Sequence, residues 1–262
     1  MKLQELITYL EDIAPLSLQE TYDNAGLIIG SPESEINGVL VCLDSTEAVI
    51  DEAIQLGCNV VVAHHPIVFS GLKKLNGSNY IERTVIKAVK NDIAIYAIHT
   101  NLDNVLDNGV NQKIAQKLEL VNCKILHQKS PETPTIGAGI IGELPSAQGE
   151  RDFLHYLKEK MKINTIRHTA FLTKKIKRVA LCGGSGRFLL STAINESADV
   201  FISADFKYHE FFDSNNEILI ADIGHYESEQ YTIELLQQLI NENFSTFAAR
   251  STGMVTNPIK YF

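Results

Sequence analysis

Two adjacent histidines follow a run of small apolar residues in this chain. The run Val60–Ala63 is followed directly by His64, His65 and Pro66. Four such residues in a row predict a strand covered on both faces, and proline ends a strand. In open α/β sheets, ligands bind just beyond the carboxyl ends of the strands. Because neighbouring side chains diverge, two imidazoles at such an end can each take a different metal ion.

The same arrangement occurs twice more along the chain. The apolar run Ile93–Ile98 leads into His99 and Asp103. The run Glu217–Asp222 leads into a segment that contains His225 and Glu229. If a helix begins near Tyr226, His225 and Glu229 are four residues apart and face the same way. Three strand ends therefore supply the imidazoles and carboxylates that bind divalent metals.

Each of these residues also has an ordinary structural interpretation. A histidine at a strand end is often only a hydrogen-bonded polar residue. Asp103 precedes the turn-forming residues Asp107-Asn108-Gly109 and could itself form a turn. Glu229 could be a carboxylate stabilised by the dipole at a helix N-terminus. The recurrence of the pattern at three strand ends favours a metal site over these separate explanations.

Four segments together resemble one known family in their order and spacing. They are Tyr22-Asp23-Asn24-Ala25-Gly26-Leu27, Ala63-His64-His65-Pro66, His99-Thr100-Asn101-Leu102-Asp103 and Gly224-His225-Tyr226-Glu227-Ser228-Glu229. The chain resembles the NGG-one-interacting factor three family, whose bacterial members are labelled GTP cyclohydrolase 1 type 2 homologues. The resemblance covers essentially the whole chain. The paired histidines and the later Gly-His-x3-Glu segment are its specific parts.

The resemblance implies a dinuclear metal centre held by five residues. These ligands would be His64, His65, Asp103, His225 and Glu229, with Glu229 bridging both ions. His99 falls on a position close to the metals, as a ligand or as a partner of a ligand. Some relatives carry a PII-like domain inserted in mid-chain. The corresponding stretch here, 127–135, is far too short for a domain.

Composition predicts an ordinary globular chain in the cytoplasm. The chain has 262 residues, of which 45% are hydrophobic and 21% charged. No apolar run approaches the ~20 residues of a membrane helix, so no membrane association is expected. The four cysteines form no Cys-x-x-Cys pair. We interpret them as buried hydrophobic residues and leave them out of the metal site.

The charge balance argues against a general nucleic-acid-binding surface. The formal net charge is −9, whereas nucleic-acid binding depends on a basic footprint. The one basic run, 174–178, leads into an apolar strand and is interpreted as a solvated strand entry. The family resemblance implies a homo-oligomer, a hexameric ring built as a trimer of dimers.

The alternation of strand-like and helical patterns predicts an α/β fold. We expect two α/β lobes with mixed sheets and the dinuclear site in the cleft between them. The predicted first lobe comprises residues 1–105 and 222–262, and the second comprises residues 106–221. This division follows from the requirement that His225 and Glu229 meet His64 and His65.

Two further segments could contribute to a site. The glycine-rich turn 183–186 lies between a strand and a helix, where it could hold an anion or serve only as a tight turn. Asp205 and His209 follow another apolar strand. They could contact the metal site or a substrate, or act as a helix cap and a solvated histidine.

The sequence favours a metal-dependent hydrolase that acts on a nucleotide or another phosphorylated small molecule, and the family resemblance implies a reaction of the GTP cyclohydrolase type. Two iron, zinc or manganese ions suit the mixed nitrogen and oxygen ligands. His99 and His209 are the candidate catalytic acids or bases. The alternatives are a non-catalytic metal carrier, a ring-shaped interaction scaffold and, least supported by the acidic composition, a ring that encircles DNA.

Overall fold

The computed structural model describes all residues from Met1 to Phe262. The chain folds into two compact units, of which the first is formed by two segments and the second by one continuous segment. The first unit comprises Met1–Leu102 and Thr232–Phe262, and the second comprises Asp103–Tyr231. None of the helices combines the length and the hydrophobicity that a membrane crossing requires.

The first unit is built on a five-stranded sheet with the strand order β1-β4-β3-β2-β11. Its strands are β1 Gly26–Ile29, β2 Val39–Asp44, β3 Val60–His65, β4 Ala94–Ala97 and β11 Ala249–Ser251. Its helices are α1 Leu3–Ile13, α2 Glu47–Gln55, α3 Tyr80–Lys90, α4 Thr100–Asp103 and α9 Tyr231–Asn243, the last two crossing the boundaries between units. All pairs are parallel except β1 with β4.

The second unit contains a six-stranded sheet with the order β5-β6-β8-β9-β10-β7. Its strands are β5 Val121–Gln128, β6 Gly137–Gly149, β7 Arg167–His168, β8 Lys175–Ser185, β9 Val200–Ala204 and β10 Leu219–Asp222. Its helices are α5 Val110–Lys117, α6 Glu150–Met161, α7 Leu190–Asn195 and α8 His225–Glu229. Parallel and antiparallel pairs occur side by side, so the prediction of a mixed α/β fold with two sheets is confirmed.

Apolar runs of the sequence form the centres of both sheets. Val60, Val61, Val62 and Ala63 of β3 are fully buried between neighbouring parallel strands, as expected for a strand covered on both faces. The strand continues for two residues beyond the apolar run, because β2 also continues and pairs Asp44 with His65. Both histidines therefore belong to the regular end of the strand.

The structure divides the chain at different points from those expected. Residues 222–231, and with them His225 and Glu229, belong to the second unit. The reason is that β10 pairs with β9 and β7 in the second sheet and leads directly into α8. Asp103 also lies in the second unit, as its first residue.

Candidate metal centre

His64 and His65 are each held by a hydrogen bond through the same ring atom. His64 is fully buried, and its Nδ1 donates to the carbonyl oxygen of Ile98 over 2.8 Å. Nδ1 of His65 donates to Oδ1 of Asp44 over 2.8 Å. A carboxylate or carbonyl at Nδ1 orients the ring and leaves Nε2 as the ligand atom, as is usual for metal-binding histidines.

His99 is held in the same way by a carboxylate from another loop. Its Nδ1 donates to Oδ1 of Asp23 over 2.7 Å, and the Asp23 side chain is fully buried. Burial favours the neutral acid, but hydrogen bonds from His99 and Thr100 outweigh it and lower the pKa of Asp23 to about 2. The ring centroid of His99 lies 5.4 Å from those of both His64 and His65. The first unit therefore gathers three oriented imidazoles.

His225 and Glu229 form the corresponding group in the second unit. They face the same way across the short helix α8, with 3.2 Å between Nε2 of His225 and Oε2 of Glu229. Nδ1 of His225 donates to Oδ2 of Asp205 over 2.7 Å. Burial disfavours the charged imidazole, but hydrogen bonds with Asp205 and Glu229 outweigh it and raise the pKa of His225 to about 11. The protonated His225 ring is thus the cationic partner of the buried Glu229 carboxylate, which is 3% exposed, a role that a bound metal ion would take over.

The glycine-rich turn after β8 leaves room for Glu229. The backbone N–H of Gly184 donates to Oγ of Ser228 over 2.9 Å, and Gly184 has a φ of +61°. A Cβ atom at this position would collide with Oε1 of Glu229 and would lie 3.3 Å from Cε1 of His225. The glycine at position 184 is therefore required for close approach to a candidate ligand.

Asn111 connects the same turn to Asp103. Its Nδ2 donates to the backbone carbonyl oxygen of Asp103 over 3.0 Å. Its Oδ1 accepts from the backbone N–H of Gly183 over 2.8 Å. Burial raises the pKa of the neighbouring Cys182 thiol, and the negative charges of Asp103 and Glu229 raise it further. The thiol therefore stays protonated beside these two carboxylates.

Three of the predicted ligands are candidates to hold a metal ion together, and each offers one ligand atom: His64, His65 and Glu229. His64 and His65 belong to the first unit and Glu229 to the second. The donor set of imidazole nitrogens and a carboxylate suits iron, zinc or manganese. The oriented rings and the glycine that makes room for Glu229 both fit such an ion.

His209, the other candidate catalytic residue, lies in a different setting. It is exposed on the 3-10 helix Tyr208–Ser214. Its ring packs against Tyr208 and Phe212, and no hydrogen bond joins it to Asp205 or His225. Its catalytic role stays a prediction.

The C-terminal segment after β11 reaches the partner of His65. Oγ1 of Thr256 donates to Oδ2 of Asp44 over 2.7 Å, while Oδ1 of Asp44 accepts from His65. Four residues earlier, Oγ1 of Thr252 donates to Glu52, which also accepts from the backbone N–H of Gly253. Neither threonine has a recognisable sequence signal, but Asp44 has one, because it is the polar residue that ends the apolar run of β2.

Fold and site together define a mixed α/β protein with two sheets and a group of histidines and carboxylates suited to metal binding. The family model described as Duf34/NIF3 (NGG1p interacting factor 3) matches residues 1–258. The chain belongs to this family, as the sequence motifs predicted.

Curated relatives and solved structures agree with this assignment. The chain is 33% identical over 239 residues to the GTP cyclohydrolase 1 type 2 homolog of Clostridium acetobutylicum, covering 91% of this chain and 89% of that protein. It is 30% identical over 264 residues to the protein of the same name from Campylobacter jejuni, with both chains fully covered. A Staphylococcus aureus protein of known crystal structure is 30% identical and covers the whole chain with a TM-score of 0.92. A Bacillus cereus protein related to NIF3 is 25% identical with a TM-score of 0.91.

Proposed function

We propose that this protein is a dinuclear metal-dependent hydrolase that acts on a nucleotide or another phosphorylated small molecule. The proposed ligands are His64, His65, Asp103, His225 and Glu229, with Glu229 shared by the two ions. The observation that carries the proposal is the common orientation of the imidazoles. Nδ1 of His64, His65 and His225 is in each case held by a carbonyl or carboxylate oxygen, which prepares Nε2 as the ligand atom.

The proposed chemistry is hydrolysis, with His99 as the proton-transfer residue. Bound divalent ions would activate water and polarise a substrate oxygen. The bond from Nδ1 of His99 to Asp23 leaves Nε2 of His99 as the atom that exchanges a proton with the substrate. Asp23 fixes the tautomer of His99 and stays ionised, because its pKa is about 2. His209 is proposed as a second acid or base.

The names of the relatives guide the choice of substrate. Several are called GTP cyclohydrolase 1 type 2 homolog, which makes purine nucleotides the first substrates to test. The proposed location is the cytoplasm, and the proposed assembly is a homohexamer.

The proposal predicts two divalent ions per chain and turnover of a nucleotide or phosphoester. Elemental analysis of protein purified without chelator and reloaded with excess iron, zinc or manganese measures the first. A panel of nucleotides and phosphoesters measures the second, and light scattering on the same sample measures the assembly. One ion or none would contradict the dinuclear site. Two ions with no turnover across the panel, together with metal transfer to apo proteins, would favour a metal carrier.

A matched pair of threonine variants tests whether the C-terminal segment supports the metal site. Thr256→Val removes a hydrogen bond to Asp44, the partner of His65. We expect metal affinity to fall about three- to tenfold, since one hydrogen bond contributes ~0.5–1.5 kcal/mol. Thr252→Val removes a similar bond to Glu52, which holds no histidine, together with the bond that Oγ1 accepts from the backbone N–H of Met254. This variant should leave metal affinity unchanged. Chelator competition measures both variants, and equal losses would show that the segment acts only on stability.

A further inference from the structure

The segment Tyr22-Asp23-Asn24 is anchored through two of its residues, Asp23 and Asn24, to neighbouring parts of the first unit. Asp23 holds His99 through Oδ1 over 2.7 Å and accepts from the backbone N–H of Thr100 through Oδ2 over 3.0 Å. Nδ2 of Asn24 donates to the carbonyl oxygen of Val68 over 2.6 Å. The loop before β1 is therefore tied both to the imidazole proposed to transfer protons and to the loop that follows β3.

These anchors bring two exposed aromatic rings together beside His99. Tyr22 precedes Asp23, and Phe69 follows Val68. The two ring centroids are 6.2 Å apart with an interplanar angle of 46°, and the ring of Phe69 lies 6.2 Å from that of His99. Tyr22 is 63% exposed and Phe69 46% exposed. Both rings are thus presented to solvent next to the histidine group, although their loops are held in place.

We propose that Tyr22 and Phe69 bind a planar heteroaromatic ring of the substrate, which is therefore a nucleobase-type compound. This inference rests on the proposed function, because it takes the histidine group as the place of reaction. Exposed aromatic side chains provide faces for stacking bases, and every base has such a face. Tyrosine and phenylalanine have few rotatable bonds, so little conformational entropy is lost when they bind a ligand.

The loop between β3 and α3, which carries Phe69, also carries positive charge, and this agrees with a negatively charged ligand. Lys73 and Lys74 lie in the loop between β3 and α3, and both are exposed. Cationic side chains beside stacking rings are the combination used for nucleotides, where the base stacks and the phosphate meets positive charge. Leu72 and Leu75 of this loop are exposed too. The position of the Phe69 ring beside that of His99 favours a substrate over a protein partner as the ligand of the two rings.

The experiment compares ligands that share a phosphate and differ only in the base. Guanosine and adenosine 5′-monophosphate are titrated calorimetrically against metal-loaded protein, with ribose 5-phosphate as the ligand that lacks a base. We expect the nucleotides to bind about tenfold or more tightly than ribose 5-phosphate, the effect of one stacked base. Tyr22→Leu and Phe69→Leu should each reduce this ratio at least severalfold and leave the affinity for ribose 5-phosphate unchanged.

An exposed aromatic residue elsewhere in the same unit provides the matched control. Tyr80 is 56% exposed at the start of α3, so Tyr80→Leu makes the same kind of change without touching the two rings. We expect Tyr80→Leu to keep the wild-type ratio. Because all three residues are exposed and none belongs to the buried core, the variants should fold, and circular dichroism checks this.

Three results would overturn the inference. The first is a wild-type protein that binds metal and does not distinguish nucleotides from ribose 5-phosphate. The second is an unchanged ratio in Tyr22→Leu and Phe69→Leu. The third is loss of self-association in these variants while the ratio of nucleotide affinity to ribose 5-phosphate affinity stays constant. This result would show that the two rings pack against a second copy of the chain. A wild-type protein that binds no metal would instead contradict the proposed function itself.

Discussion

Replacement of Glu229 by glutamine is expected to abolish stable metal binding. Glutamine keeps the size of the side chain but removes the buried negative charge that Glu229 is proposed to bring to the metal site. An amide is a poor ligand for iron, zinc or manganese in a site of imidazoles and carboxylates. We expect occupancy to fall at both proposed positions, because Glu229 is proposed to bridge them. Elemental analysis after reloading with excess metal measures the loss.

Asp205→Asn is the matched control for this change. Asp205 lies on the far side of His225 and contacts Nδ1 of that ring over 2.7 Å, and the asparagine amide oxygen can still accept this hydrogen bond. Weakening such a hydrogen-bond partner lowers metal affinity by ~10–100-fold. Because excess metal still saturates a site weakened to this extent, occupancy should remain near the wild-type value. Full occupancy in both variants would show that Glu229 is not a ligand.

Gly184→Ala is expected to have the second large effect, although it adds only one methyl group. The new Cβ would collide with Oε1 of Glu229, so the carboxylate or the turn must move. Overpacking of this kind costs ~1–3 kcal/mol, in addition to the ~1–2 kcal/mol of placing alanine in the left-handed region. We expect lower stability together with loss of metal binding, measured by urea unfolding and chelator competition.

Gly57→Ala separates the crowding from the backbone strain. Gly57 has a φ of +67°, close to the +61° of Gly184, but nothing lies within 4 Å of its added Cβ. This variant should lose ~1–2 kcal/mol of stability through the backbone alone and keep full metal affinity. If Gly57→Ala and Gly184→Ala had the same metal affinity, the glycine at position 184 would serve only the turn.

Local sequence determined the parts of the site that depend on short distances along the chain. The apolar run before His64 and His65 forms a buried strand, as expected from its composition. The spacing of His225 and Glu229 was sufficient to place both on one helical face, because residues four apart are neighbours on any α-helix. The family also followed from the sequence, since its motifs are short and contiguous.

Two of the edge strands, β5 and β11, carry no such local signal. β5 has mostly exposed side chains, and β11 has one buried residue out of three. Neither forms an apolar run, because an edge strand has fewer neighbours to bury it. Their pairing with β6 and β2 depends on the sheets themselves, which only the assembled fold provides.

Tertiary structure alone decided which residues orient the imidazoles. Asp44 lies 21 residues before His65, and Asp23 lies 76 residues before His99. Thr256 meets Asp44 across 212 residues. No periodicity links such positions, because each contact arises where separate loops arrive at the same edge of a sheet. The sequence thus determined the residue types and the strand ends that carry them. The packing of distant segments decided how those residues are held and why position 184 must be glycine.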